Sequence, residues 1–384
     1  MVTHIALDEH AAPVVGLVGG GFMGEVHTRA ARAAGAAIAG VSSSTHSSAV
    51  KAATRLHIPV AYESVAEMLE DPDIDVVHIC SPNSSHAAIA TAVLEAGKHV
   101  ICEKPLATAP EQTENLLQLA AVTGKVAAVP FVYRFHPMVR EARSYIQNGD
   151  VGPVITVQGS YFQDWLVSTA ADNWRVNDEL GGPSRAFADI GSHLCDLVEF
   201  VTDERITELC AQTRTVFDSR ALNTAITTED VAAVMFRTAS GVLGTLMVSQ
   251  VAPGRKNKLS FEIHGTTRSI FFDQEQPESL WVGEKTASKV VVRSPSDNCP
   301  DAARLSRVPA GHPQGYQDAF NSFVADTYAA ITGSTPEGLP TFADGVRSAY
   351  ITAAVLESAR RRSWVSVPDS PISFASQSSK ALVR

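Results

Sequence analysis

The run Gly19-Gly20-Gly21-Phe22-Met23-Gly24 constrains this 384-residue chain more than any other feature. It follows a continuous apolar stretch at 13–18 and precedes an Ala- and Arg-rich, helix-prone segment at 25–34. Strand, GxGxxG, helix is the order in which a backbone can cradle a pyrophosphate. Gly19 permits the tight turn, Gly21 lets the backbone approach the anion, and Gly24 lets the helix pack on the strand. The anion then meets free N–H groups and the positive end of the helix dipole. The rhythm continues, with apolar runs at 37–41, 76–80, 100–102 and 126–129 and good helix formers at 86–96 and 111–121. Gly35, Gly97 and Gly124 stand where left-handed C-caps are expected. This βαβα alternation predicts a parallel sheet covered by helices on both faces, hence an α/β fold with a dinucleotide site.

After residue 135 the pattern changes. Residues 154–161 alternate apolar and polar, which predicts a strand with one buried face. Strand-like runs at 231–236 and 242–248 are joined by Thr238-Ala239-Ser240-Gly241, a hairpin loop. Further strands at 259–264 and 269–272 follow without intervening helices, so an antiparallel or mixed sheet is expected. An amphipathic helix at 316–331 places Phe320, Phe323, Val324 and Ile331 on one face, and another helix is expected at 346–359. The predicted domains are 1–134, with 1–12 as a flexible arm, and 135–384, with a Ser/Pro-rich mobile tail at 368–384.

A net charge of −10 spread along the chain gives no basic stripe for nucleic acid. No apolar run reaches the ~20 residues that span a bilayer. The five cysteines are odd in number and form no CxxC pair, so no disulfide framework is expected and the cytoplasm is the expected compartment. No metal site is expected either: His193 and Cys195 are two apart, and no second ligand pair completes a closed set.

Two further motifs carry chemistry, Cys102-Glu103-Lys104-Pro105 and Asp189-Ile190-Gly191-Ser192-His193. Hydride transfer between an alcohol and a nicotinamide needs a phosphate cradle, a cation near the reacting oxygen and a proton acceptor. His193 suits the last role, since its ordinary pKa lies near neutral pH. Asp189, one helical turn earlier, is expected to orient the imidazole or to stabilise its charged form. Lys104 can stabilise the developing alkoxide, or can itself be the base once its pKa is lowered. Both assignments satisfy the chemistry. The second strand ends Ser42-Ser43-Ser44-Thr45 with neither the acid that takes a ribose 2′-OH nor an adjacent cation for a 2′-phosphate. Ser43 or Ser44 would bond either cofactor; the missing cation favours NAD, with NADP as the alternative.

Taken together, GGGFMG at 19–24, CSPNSSH at 80–86, AGKHVICEKP at 96–105 and DIGSHLCD at 189–196 resemble the glucose–fructose oxidoreductase / inositol dehydrogenase family of sugar dehydrogenases. The resemblance implies a Rossmann domain followed by an α/β domain with a large open, mostly antiparallel sheet, and a nicotinamide cofactor between them. It implies catalytic roles for Lys104, Asp189 and His193 and a cis Lys104–Pro105 bond. Phe22, Met23, Ser81, Asn83, His86, Glu103, Lys104, Trp174 and Arg175 join the glycines and Ser43 as expected cofactor neighbours. The segments 161–166, 173–175 and 311–316 resemble a subgroup acting on anhydrosugars and related pyranoses. The stretch Tyr133-Arg134-Phe135-His136-Pro137 departs from the Arg-Arg-aromatic-Asp-Pro of several inositol dehydrogenases.

The expected substrate neighbours are Lys104, Tyr133, Gln163, Trp165, Asp189, His193 and His312. Trp165 and Trp174 would flank the sugar while Gln163, Asn173 and Arg175 bond its hydroxyls. The expected activity is oxidation of a ring hydroxyl, at C3, of a sugar or anhydrosugar such as levoglucosan. The alternatives are a glycosidase with transient C3 oxidation, an inositol dehydrogenase, or a non-catalytic sugar or dinucleotide sensor. Retaining Lys104, Asp189 and His193 together argues against the sensor. An open sheet with one uncovered face implies a homodimer or homotetramer.

Overall fold

The computed structural model describes residues 13–368; the expected arm at 1–12 and nearly all of the expected tail lie outside the described residues. Six strands form the first sheet: β1 (Val15–Val18), β2 (Ile38–Ser42), β3 (Val60–Ala61), β4 (Val76–Ile79), β5 (His99–Cys102) and β6 (Ala127–Ala128). Their order is β3-β2-β1-β4-β5-β6 and every pairing is parallel. The connecting helices are α1 (Phe22–Ala33), α2 (His46–Leu56), α3 (Val65–Glu70), α4 (His86–Glu95) and α5 (Pro110–Thr123). Strands β1 and β4 are buried along their whole length, as a sheet covered on both faces requires. This is the Rossmann order, and its chain reversal beside β1 puts the ligand crevice at the carboxyl ends of β1 and β4. Gly35, Gly97 and Gly124 have φ of +86°, +72° and +63°, the left-handed stops that the sequence predicts.

The second sheet has nine strands: β7 (Val154–Phe162), β8 (Ile206–Arg214), β9 (Val231–Thr238), β10 (Leu243–Ser249), β11 (Lys258–Gly265), β12 (Ser269–Asp273), β13 (Ser279–Gly283), β14 (Ser288–Val292) and β15 (Val365–Ser366). Their order is β14-β13-β12-β11-β7-β10-β9-β8-β15. Only β7 and β10 pair in parallel, so the sheet is mostly antiparallel. The hairpin over Thr238–Gly241 is present, with Gly241 at φ +93°.

Strands β8, β13, β14 and β15 and the β3–α3 segment are absent from the sequence reading. Their signals are weak: β14 is exposed or half-buried throughout, and β15 is two residues that exist only by pairing with β8. One sheet face is covered by α6 (Pro137–Gln147), α8 (Ser192–Thr202) and α11 (Phe342–Arg361); the short helix α9 (Pro300–Leu305) packs on α6, and α7 (Asp178–Gly181) packs on the turns at 83–85 and 174–176. Among the described residues no helix covers the other face, where Met235, Leu243 and Met247 are exposed.

The helix α10 (Tyr316–Ile331) has the bounds the periodicity predicts. It packs on α1, and its Phe320, Phe323, Val324 and Tyr328 share a core with Val26 and Ala30 of the first layer. The chain therefore returns to the nucleotide-binding sheet after building the second one. Among the described residues, no helix is long and apolar enough to cross a membrane.

Candidate active site

The glycine run follows β1 at the crevice. Gly19 has φ +93°, and a Cβ there would lie 2.7 Å from the Cys80 backbone. A Cβ on Gly24 would lie 2.3 Å from the Gly19 carbonyl oxygen, so helix and loop can touch only without a side chain. A Cβ on Gly21 would meet nothing within 4 Å: this glycine borders open space. Gly21 also begins α1 with no side chain capping its N–H groups. Open backbone, free donors and the dipole together fit a dinucleotide pyrophosphate. Ser43 is half-buried just past β2, and the Ser42 hydroxyl beside it is buried without a partner. Arg55 of α2 bonds the Gly20 carbonyl and pairs with Glu25 at 2.9 Å. Helix packing thus brings a cation to the cradle that its distance along the chain concealed.

Phe22, Met23, Glu103, Lys104, Tyr133, Asp189 and His193 line one cleft of about 580 Å³. Lys104 follows β5, and the Lys104–Pro105 bond is cis as expected. Its Nζ donates to Asp189 Oδ1 at 2.6 Å and to the Asp189 carbonyl at 2.9 Å. Gln250, just past β10, donates to the other carboxylate oxygen at 2.7 Å. Arg175 Nε stands 3.7 Å from Oδ1. Burial disfavours the Asp189 carboxylate, yet the Lys104 and Arg175 charges and these hydrogen bonds outweigh it and hold its pKa well below the usual range.

The expected orienting bond from Asp189 to His193 is corrected: among the described residues both oxygens of Asp189 are engaged elsewhere and the buried His193 Nδ1 has no partner, although the Asp189 charge still favours a charged His193. The reason is the winding of the chain at Asp189. Phe187–Gly191 is a π-helix, wound wider than the 3.6-residue turn that an i,i+4 alignment presumes. Its entrance is fixed by the buried Glu229 carboxylate, which accepts from the Ser184 hydroxyl and the Arg185 and Phe187 N–H groups at 2.7, 3.1 and 2.8 Å. Asp189 is thus turned toward Lys104, while His193 lies edge-on to Phe131 and Tyr133 with ring centroids 5.7 and 5.0 Å away. Burial, then the Lys104 charge, pushes the His193 pKa from 6.5 down to about 3. This favours the uncharged ring, which has a free acceptor but is a weaker base than an ordinary imidazole.

The opposite wall is a hydrogen-bonded polar network. Trp165 Nε1 donates to Gln163 Oε1 at 2.8 Å, and Gln163 Nε2 donates to Asn257 Oδ1 at 2.9 Å. The Tyr161 hydroxyl donates to the same Asn257 oxygen at 2.7 Å, and Asn257 Nδ2 donates to the Tyr133 hydroxyl at 3.1 Å. Tyr133, Gln163 and Trp165 were expected here. Asn257, Tyr161, Tyr316 and Gln250 were not, although Tyr161 stands in a segment that the reading singled out.

Other expected residues lie farther from the reacting groups. His86 places its ring nitrogens 2.8 and 2.9 Å from the Pro105 and Ser81 carbonyls, and the neutral ring donates to one of them. Asn83 donates to the Gly181 carbonyl at 2.9 Å, and the Ser81 hydroxyl bonds that of Ser85. Trp174 carries the Arg175 guanidinium 4.5 Å above its ring. His312 does not line the cleft. It is exposed in a loop whose carbonyl is held by Arg293 at 2.6 Å, which corrects its place among the substrate neighbours.

Comparison with known proteins adds to this geometry. A family model described as oxidoreductase family, NAD-binding Rossmann fold, matches residues 14–131, and a GFO/IDH/MocA C-terminal domain matches 139–271. Levoglucosan dehydrogenase of Pseudarthrobacter phenanthrenivorans is 32% identical over 92% of this chain and 98% of its own length. A solved levoglucosan dehydrogenase in complex with NADH and levoglucosan superposes with a TM-score of 0.86 at 33% identity, covering 93% of this chain and 99% of that one. Glucose-6-phosphate 3-dehydrogenase of Bacillus subtilis is 23% identical over 77% of this chain and 82% of its own length.

Proposed function

This chain belongs to the GFO/IDH/MocA oxidoreductase family, and we propose that it oxidises a ring hydroxyl of an uncharged sugar or anhydrosugar, at C3, with NAD as oxidant. Levoglucosan is the first candidate substrate, by analogy with the full-length relative. The position is drawn from the relative named for oxidation at carbon 3.

The observation that carries the reading is the arrangement of Lys104, Asp189 and His193 in one cleft beside the glycine cradle. When bound, NAD supplies the hydride acceptor. Lys104, held by Asp189, donates a hydrogen bond to the reacting oxygen and favours the alkoxide. His193, uncharged, takes the hydroxyl proton. Tyr133, Gln163, Trp165 and Asn257 hold the remaining hydroxyls and one ring face. Among the described residues lining the cleft, the cations Lys104 and Arg175 both face Asp189, which suits a substrate without phosphate. NAD is preferred to NADP because Arg55 is engaged by Glu25 and the Gly20 carbonyl. The bare sheet face is proposed to pair with that of a second subunit.

A panel of sugars, assayed by absorbance of reduced cofactor with NAD and NADP in parallel, tests this. Turnover of levoglucosan or a related pyranose with NAD is expected. Turnover confined to sugar phosphates or to NADP would overturn the substrate or the cofactor assignment.

A further inference from the structure

Behind the cleft wall, four buried polar side chains, from three elements and the loop after β5, form one hydrogen-bonded line. Tyr328 of α10 lies 3.0 Å from His78 Nε2 of β4. His78 Nδ1 lies 3.1 Å from His27 Nδ1 of α1, and His27 Nε2 lies 3.2 Å from Glu103 Oε1. His27 and His78 are fully buried, and Tyr328 and Glu103 are 5% and 7% exposed. Placing two histidines and an acid in a core is costly unless each group is satisfied.

With one proton on each ring, every donor points the same way. The Tyr328 O–H donates to His78, the His78 Nδ1–H donates to His27, and the His27 Nε2–H donates to Glu103. An ionised carboxylate accepts only, so it terminates the line. The other Glu103 oxygen accepts from the Lys104 backbone N–H at 3.1 Å.

We propose that His27 is a positioning residue of the active site: backed by His78 and Tyr328, it holds the Glu103 carboxylate ionised and fixed beside Lys104. The role rests on the dehydrogenase reading above. The groups facing Glu103 are His27 of α1, Lys104 on its own loop, His193 of α8, and Cys80, His86, Cys102 and Tyr316. Burial disfavours its charge, and the His27 bond heads the causes that hold its pKa below the ordinary value. Its charge in turn opposes that of Lys104 at His193. Losing His27 would therefore weaken the base as well as the cofactor contact.

Two readouts test this, NADH affinity by fluorescence across pH, and the pH profile of kcat/KM. His27→Leu supplies no hydrogen bond. His27→Gln keeps one acceptor for His78 and one donor for Glu103. One charge-assisted hydrogen bond corresponds to roughly one to two pH units. In His27→Leu the acid limb of NADH binding, set by Glu103, should move up by that amount, the limb of kcat/KM set by His193 should move down because a neutral Glu103 no longer offsets the Lys104 charge, and His27→Gln should restore most of both. Tyr328→Phe, which removes only the terminal O–H, should shift each limb in the same direction as His27→Leu by less. If His27→Leu does not fold, Tyr328→Phe decides. Folded variants whose limbs both match the wild type would overturn the proposal. If the wild type oxidises no sugar, the activity reading fails, and the NADH profile still tests the relay.

Discussion

The surroundings of His193 favour its uncharged form and make it a weaker proton acceptor than an ordinary imidazole. An imidazole whose pKa is lowered stays unprotonated as pH falls, so its base form persists well below the ordinary 6.5. His193→Ala and Lys104→Ala should each lower kcat by about 10²–10⁴-fold while leaving NADH affinity much less affected. Residual activity of Lys104→Ala should retain the low-pH ionisation, and that of His193→Ala should lose it. The reverse pattern in the pH profiles would make Lys104 the base. Asn257 is different in kind, because it orders hydroxyl groups rather than moving protons. Asn257→Leu should raise KM about tenfold or more with a smaller change in kcat, since it leaves Tyr133, Tyr161 and Gln163 without their shared partner. Steady-state kinetics separates the two effects; a selective loss of kcat would place Asn257 in the chemistry instead.

Among the elements, the β1–loop–α1 unit was legible because its requirements are local: an apolar strand, three glycines at fixed spacing, a helix. Gly21→Val should keep the fold, since a Cβ there meets nothing within 4 Å, yet weaken NADH binding by more than tenfold. Calorimetric titration beside a thermal melt checks both halves; unchanged affinity in a folded variant would remove the cradle. The π-helix at Phe187–Gly191 was illegible for the opposite reason. Its winding is imposed by Glu229, more than thirty residues downstream, whose carboxylate three donors share. The motif DIGSH identified the residues and misled about their pairing. Gln250 and Asn257 escaped notice likewise: each sits at a strand end, and only sheet register brings them to Asp189 and Tyr133.

At the scale of the whole molecule, the alternating strands β9 and β10 read correctly because burial alternates along them, residue by residue. The same alternation leaves Met235, Leu243 and Met247 on a bare face. Apolar side chains on an open sheet favour a partner. Replacing Met235 and Met247 with Glu should shift the mass seen by light scattering from an oligomer to a monomer at micromolar concentration. A monomeric wild type would contradict the pairing. The return of α10 to the first sheet was not legible, although its bounds were, because periodicity reports that a face is buried and not against what.

The central claim is that hydride leaves C3 of a neutral sugar for NAD in this cleft. Levoglucosan deuterated at C3, incubated with the enzyme and NAD, tests it most directly, with the reduced cofactor weighed by mass spectrometry. Reduced cofactor carrying the deuterium is expected. Reduced cofactor without the label, or none formed with any sugar of the panel, would contradict it.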